Sequence, residues 1–370
     1  MRHVAFVMEQ ALGHVTHAEN VRAALREHPE VAPSWASIEF PVTGWARRIP
    51  IYNSNWTVRA GLRGRRSLRR LARTTPLDAA YFHTQVPAVL AGRWLRRLPS
   101  VVSVDATPRQ YDQLGAAYGH RPGPAWLERV KWRLNRDCFR RAVRVVAFSD
   151  WVKQGLVEDY EVAPDKVEVI RPGIDLERWQ VPDRHRTPGS GPLRVLFVGG
   201  DFRRKGGPLL LQAFAALDDL DVELHVVTRK EVEVGPRCVV HTGLGPNSAE
   251  LQALFEQADV FCLPTDADTL GLVFVEAGAS GLPCIATDVG AVPEVVRHGE
   301  TGTVISPGNL DQLVAALREL LTDGELRERY GRAARRHVET CYDSRTNTGR
   351  IVELCQAVAG SRTGSPARRH

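Results

Sequence analysis

Short apolar runs alternate with helix-patterned stretches along almost the whole chain, and the alternation is run through twice. In the first half the strand candidates are 4–8, 37–40, 79–83, 101–105, 143–149 and 167–171. In the second they are 193–199, 222–228, 238–243, 259–264, 283–287 and 301–306. Stretches such as 248–258 and 309–323, with apolar residues at helical spacing, lie between them. Strands separated by helices pair in parallel, because each helix carries the chain back over the sheet. The polar, Pro- and Gly-rich stretch 181–192 interrupts the pattern and reads as a hinge linker. At 370 residues the chain exceeds what one ordinary core carries. The expected fold is therefore α/β, with two doubly wound parallel-sheet domains at 1–180 and 193–343. A further helix is expected near 344–359, and 360–370 reads as a disordered tail.

Composition narrows the class. Hydrophobic content of 43% with 25% charge is that of a water-soluble globular protein, and no run approaches ~20 apolar residues. The start, MRHVAFVMEQ, is apolar only briefly before Glu9, which argues against a secretion signal. The six cysteines are scattered without a CxxC pair, so reduced buried thiols are expected rather than zinc ligands or disulfides. A cytoplasmic protein is the expectation. Charge is uneven: residues 1–180 hold 28 Lys+Arg against 18 Asp+Glu, and the remainder holds 21 against 25, summing to +6.

Chemistry concentrates in two stretches of the second half. In 259–287, an apolar strand enters a loop with Asp268, then an uncharged helix start at Leu270-Gly271-Leu272, then Glu276. Loops at the carboxyl ends of parallel strands are where such folds bind ligands, and free N–H groups at a helix start favour an anion. The carboxylates can then accept hydrogen bonds from neutral hydroxyls. A phosphate beside hydroxyls points to a nucleotide sugar. Glu276 sits in the apolar run LGLVFVEAGASG, where a charge needs a partner; otherwise it caps or solvates a helix. The other stretch, 200–214, places Arg203, Arg204, Lys205, Gly206 and Gly207 between a strand and an apolar helix. Cations followed by glycines suit a diphosphate; a solvated basic turn is the plain alternative.

In the first half, Gly13 falls in the turn after the first strand, without a GxGxxG fingerprint. His14 and His17 come next, and His83 ends the run AAYFH. Each can contact donor or acceptor, or lie in a loop or core.

These motifs, with FSDWVKQGL, VIRPGIDLERW, GLGPNSAEL and ATDVGAVPEVV in order, cover nearly the whole chain. The chain resembles retaining glycosyltransferases of family 4 (glycosyl transferases group 1), which have the GT-B fold: two Rossmann-like domains facing across a cleft. The resemblance implies that the 344–359 helix crosses back to the first domain. It also implies that Lys205, followed by Gly206, neutralises the departing diphosphate with Arg204 or Arg203, Arg204 being preferred. The family's arginine often directly follows the strand's glycine, where this chain has Gly200. Glu276 would hold ribose hydroxyls; Asp268, standing in for the family's usual first glutamate, would hold the transferred sugar. Leu270, Gly271 and Leu272 would offer N–H groups, and Gly13 would face the donor. Where many relatives carry a histidine near the sugar, this chain has Asp105, which can bind a hydroxyl or act as a base.

The implied reaction moves a sugar from a nucleoside-diphosphate donor, UDP- or GDP-linked, to an acceptor hydroxyl with retention, with no cofactor and no metal. The sequence Asp266-Ala267-Asp268 imitates a metal motif, but its place eight residues before Glu276 fits the carboxylate role. An epimerase-like enzyme of the same fold and a non-catalytic sugar-nucleotide binding or membrane-associated protein are the alternatives. From Phe40 to Leu77 there are nine arginines and no acid, so this region is either a solvated face or a peripheral contact at the inner membrane face. No nucleic-acid module is recognisable.

Overall fold

A computed structural model of the chain describes all residues except 11–13, 43–47, 49–51, 53–54, 116, 119–122, 182–190 and 362–370. Gly13, most of the linker and nearly all of the expected tail lie outside the described residues.

The chain divides into two compact units, the first ending at Gly173 and regaining the chain from Ser344, the second holding Ile174–Asp343 and the short segment 114–120. The first unit is a parallel sheet of β1 (Arg2–Gln10), β2 (Val31–Glu39), β3 (Ala79–His83), β4 (Ser100–Val104), β5 (Arg144–Ala147) and β6 (Val167–Val169). Its order is β2-β1-β3-β4-β5-β6. The second contains β7 (Leu193–Val198), β8 (Val222–Val227), β9 (Cys238–His241), β10 (Val260–Leu263), β11 (Cys284–Thr287) and β12 (Gly302–Ile305). These six are ordered β12-β11-β10-β7-β8-β9. In each sheet the first strand sends the chain to one side and later receives it on the other. The switch points lie between β1 and β3, and between β7 and β10, and such points open a crevice at the strands' carboxyl ends.

Helices flanking the two sheets include α1 (His14–Ala24), α2 (Trp56–Thr74), α3 (Gly92–Arg97), α4 (Ala125–Arg141), α5 (Asp150–Tyr160), α6 (Gly207–Ala215), α7 (Leu272–Ala279), α8 (Gly324–Cys341) and α9 (Ser344–Gly360). The period-2 alternation of strand side chains separates two cores in the first unit. Ala5, Val7, Phe82 and Val102 face α2, α3, α4 and α5, through Leu68, Leu95, Phe139 and Leu156. Val4, Phe6, Tyr81 and Val101 face α1 and α9, through Val21, Ile351, Val352 and Cys355.

Three boundaries differ from the sequence expectation for physical reasons. Strand β2 begins at Val31, ahead of the expected 37–40, because it is an edge strand, where Pro33 removes no needed donor. Strand β5 stops at Ala147 because Ser149 caps α5, its Oγ accepting from Val152 N at 3.1 Å. Residues 174–180 join the second unit, not the first. Ile174 bridges to Asp343, and the buried Trp179 ring meets Phe255 edge-on at 5.2 Å. All six cysteines are free thiols. Among the described residues, no helix is long and apolar enough to cross a membrane.

Candidate active site

In the second unit the chemistry collects at the switch point. The loop after β7 carries Arg204 and Lys205, and the loop after β10 carries Asp268. Lys205 Nζ and Asp268 Oδ2 form an ion pair, with the two side chains only 14% and 11% exposed. Arg204 binds the same loop through Nη1 to Ala267 O at 2.7 Å, and its guanidinium lies 4.5 Å from the Tyr118 ring centroid. Arg204 and Lys205 thus contact the β10 loop, whereas Arg203, one residue earlier, is exposed.

Glycines set this geometry. Gly206 has φ +79°, and a Cβ there would lie 1.9 Å from the Pro264 carbonyl oxygen. Only glycine lets the Lys205 turn approach the β10 loop so closely. Gly206→Ala should therefore destabilise the second unit by roughly 2–4 kcal/mol, adding αL strain to the displaced contact. Chemical denaturation checks this, and an unchanged midpoint would contradict it.

The start of α7 is built for an acceptor from outside. Gly271 (φ +75°) occupies the N-cap position, and no side chain caps the helix. Phe274 N donates to Gly271 O at 2.9 Å, so among the described residues the N–H groups of Leu272 and Val273 are the ones left for another acceptor, with the helix dipole favouring an anion. One turn further on, Glu276 is 8% exposed. Burial alone pushes its carboxyl up to about 8 from the ordinary 4.5. Asp268 is buried, whereas Asp266 is exposed, so this apparent DxD does not present its two acids alike.

Arg229, not singled out from the sequence, lies beside the basic turn and is exposed. At Gly200, where the resembling family often carries arginine, a Cβ would lie 2.9 Å from Arg229 Nε. The missing side chain at 200 leaves room for a guanidinium arriving from the end of β8. The chain signal was weak, because Arg229 is one of many arginines.

The first unit has its own polar cluster at the β1/β3 switch point. His14 Nε2 lies 3.5 Å from Asp105 Oδ2. Burial works to lower the His14 pKa, but Asp105, by charge and hydrogen bond, and then Glu9 outweigh it, and it stands at about 9. The opposite holds for His17, lowered to about 3 by burial and then by the His14 charge. His83 is also held well below its ordinary value, by burial first and then by His17 and His14. Among the described residues, both ring nitrogens of His17 and His83 are buried without a side-chain hydrogen-bond partner. The His14 and His17 rings sit 4.9 and 4.7 Å from His83.

Glu9 completes this cluster and was not singled out from sequence. It is 3% exposed, accepts from Trp56 Nε1 at 2.6 Å and from Thr84 Oγ1, and burial raises its pKa. Its signal was an acid ending the apolar run VAFVMEQ. Thr84 holds a left-handed φ of +68° there, a conformation a non-glycine residue rarely adopts.

Two parallel six-stranded units, each with polar groups at its own switch point, define the GT-B fold. Sucrose-phosphate synthase (tll1590) from Thermosynechococcus elongatus has this fold, at a TM-score of 0.76 and 17% identity, covering 98% of this chain and 100% of that one. So does Anabaena Alr3699/HepE in complex with UDP and glucose, at 0.65 and 16%, covering 96% and 100%. Residues 183–337 match the family described as Glycosyl transferases group 1, and residues 13–178 match Glycosyltransferase Family 4. The chain belongs to the GT-B glycosyltransferases of this group 1/family 4 type. It is 34% identical over 215 residues to MMP alpha-(1->4)-mannosyltransferase of Mycolicibacterium hassiacum, covering 54% of this chain and 51% of that protein, about half its length. It is 29% identical over 305 residues to D-inositol 3-phosphate glycosyltransferase of Paenarthrobacter aurescens, covering 76% and 74%.

Proposed function

We propose that this chain transfers a sugar, with retention and without a metal, from a UDP- or GDP-linked donor to an acceptor hydroxyl. The observation that carries this reading is the second unit's switch point. It brings together the Lys205–Asp268 pair, Arg204, an uncapped helix start and a buried carboxyl at Glu276. A diphosphate would draw Lys205 away from Asp268 and take the α7 N–H groups, freeing Asp268 to accept from hydroxyls of the sugar. Glu276 would accept from the ribose diol. Departure of the diphosphate leaves negative charge that Lys205, once drawn from Asp268, the neighbouring Arg204 and the α7 start would stabilise. The acceptor hydroxyl then enters on the face the diphosphate leaves and gives its proton to a departing phosphate oxygen.

The first unit's cluster would serve the acceptor or the sugar: the His14 imidazolium held by Asp105 is a donor, and His17 and His83 offer ring nitrogens without a side-chain partner. That HepE has been crystallised with UDP and glucose supports a nucleotide-sugar donor here. The epimerase-like and non-catalytic readings have no observation of their own in favour.

A panel of UDP-, GDP- and ADP-sugars, incubated with and without a chelator, tests the proposal. Release of nucleoside diphosphate from one donor is expected, unchanged by the chelator, with the product's anomeric configuration retained by NMR. Loss of turnover on chelation would overturn metal independence. An inverted product would overturn retention, and no turnover with any donor would overturn the enzyme reading.

A further inference from the structure

We infer that Tyr118 is a positioning residue of the donor site: its ring holds the Arg204 guanidinium in the orientation that meets the diphosphate. The inference rests on the reading of Arg204 as a diphosphate ligand. Three observations carry it.

First, the backbone of Arg204 is pinned, while its side chain is long and rotamer-rich. The Arg204 carbonyl oxygen accepts from Asp266 N at 2.9 Å and from Thr265 Oγ1 at 3.3 Å, and its N–H donates to Asp201 Oδ1 at 3.3 Å. What remains to be fixed is the side chain. Ordering it only when a ligand arrives would cost entropy, and that cost would be subtracted from affinity.

Second, the contacts of the guanidinium hold it and still leave an edge open. Nη1 donates to Ala267 O at 2.7 Å, and Nε lies 3.5 Å from Asp201 Oδ2. The Tyr118 ring centroid is 4.5 Å from Cζ, well inside the ~6 Å reach of cation–π attraction. Among the described residues Nη2 has no hydrogen-bond partner, so it is the donor that remains for a phosphate oxygen. The ring also takes no donor from the cation, which a carboxylate in its place would do.

Third, Tyr118 arrives by a detour of the chain. The first unit is left after Gln113, and 114–120 belongs to the second unit before the chain rejoins the first. A tight turn shapes this excursion, with Tyr118 N donating to Gly115 O at 3.0 Å and Gly115 buried. Apolar packing alone explains the contact poorly, because Tyr118 is only half-buried and the group beside its ring is charged. A ring brought to an arginine at the sheet's switch point preorganises that arginine.

Calorimetric titration of UDP and of GDP into the full chain tests this. Tyr118→Leu should weaken binding of the diphosphate that the wild-type chain takes by about tenfold, and Tyr118→Phe, which keeps the ring, should stay within about twofold. Arg204→Gln should weaken it by at least about tenfold. Adding Tyr118→Leu to Arg204→Gln should cost nothing more, because the two residues act as one unit. Wild-type affinity in Tyr118→Leu, with Arg204→Gln weakened, would overturn the inference and leave Arg204 as a diphosphate ligand. So would Tyr118→Phe binding as weakly as Tyr118→Leu, or an equal further loss when Tyr118→Leu is added to Arg204→Gln. Wild-type affinity in Arg204→Gln, or no binding of either diphosphate by the wild-type chain, would overturn the reading of Arg204 itself and the inference with it.

Discussion

Lys205→Ala is expected to lower sugar-nucleotide turnover by roughly 10²–10³, the usual cost of removing one preorganised group that meets charge developing in the transition state. The same change should also destabilise the second unit. It leaves Asp268, only 11% exposed, without the cation that compensates it. The two effects can be separated. Lys205→Ala combined with Asp268→Asn removes the stranded charge, so the thermal transition should return toward wild type while turnover stays low. Turnover within about threefold of wild type in a well-folded single variant would remove Lys205 from the reaction. Recovery of activity in the double variant would show instead that the loss was structural.

Glu276→Gln should move binding and stability in opposite directions. In the folded chain burial holds this carboxyl at about 8, against 4.5 ordinarily. Between those two pH values the folded state keeps a proton that the unfolded state has released. Stability from this group is therefore fully present below pH 4.5 and is lost as pH rises toward 8. A neutral amide has no proton to lose, so the variant should be more stable than wild type near pH 8, by roughly 2–4 kcal/mol, and its melting temperature should vary less across the window. Donor binding should weaken by about tenfold, because an amide NH2 replaces one of the two carboxyl oxygens that can meet the ribose hydroxyls. Calorimetric titration with the nucleoside diphosphate, and melting curves from about pH 5 to about pH 8, read both effects. Equal donor affinity in the variant would separate Glu276 from the ribose. A wild-type melting temperature flat across the window would show that the carboxyl is not held protonated.

Most of the sheet was legible because buried parallel strands are nearly continuous apolar runs, and β3 at Ala79–His83 needs no other signal. Edge strands are less so: β2 mixes exposed and buried positions and includes Pro33. The Lys205–Asp268 pair and the buried Glu276 stood out in the sequence because each residue interrupts a local pattern. What the chain order could not carry is pairing across distance. Nothing near His14 in sequence announces Asp105, 91 residues later, as its partner. The same holds for Arg229 beside Gly200, since a gap left by a missing side chain is visible only in three dimensions. Trp179 reads as the end of the first half until its packing on Phe255 is known.

Helix α9 supplies Ile351, Val352, Cys355 and Val358 to the core behind β1 and β3. The lobe that leaves the ribosome first thus waits for its last wall until some 170 further residues have been translated, from Gly173 to Ser344. At about 5–20 residues per second that is a delay of about 10–30 s. During that interval one greasy side of the nascent sheet lacks its cover, while the later-made lobe has every segment it needs. Vectorial synthesis would therefore complete the two lobes in the reverse of their order along the message.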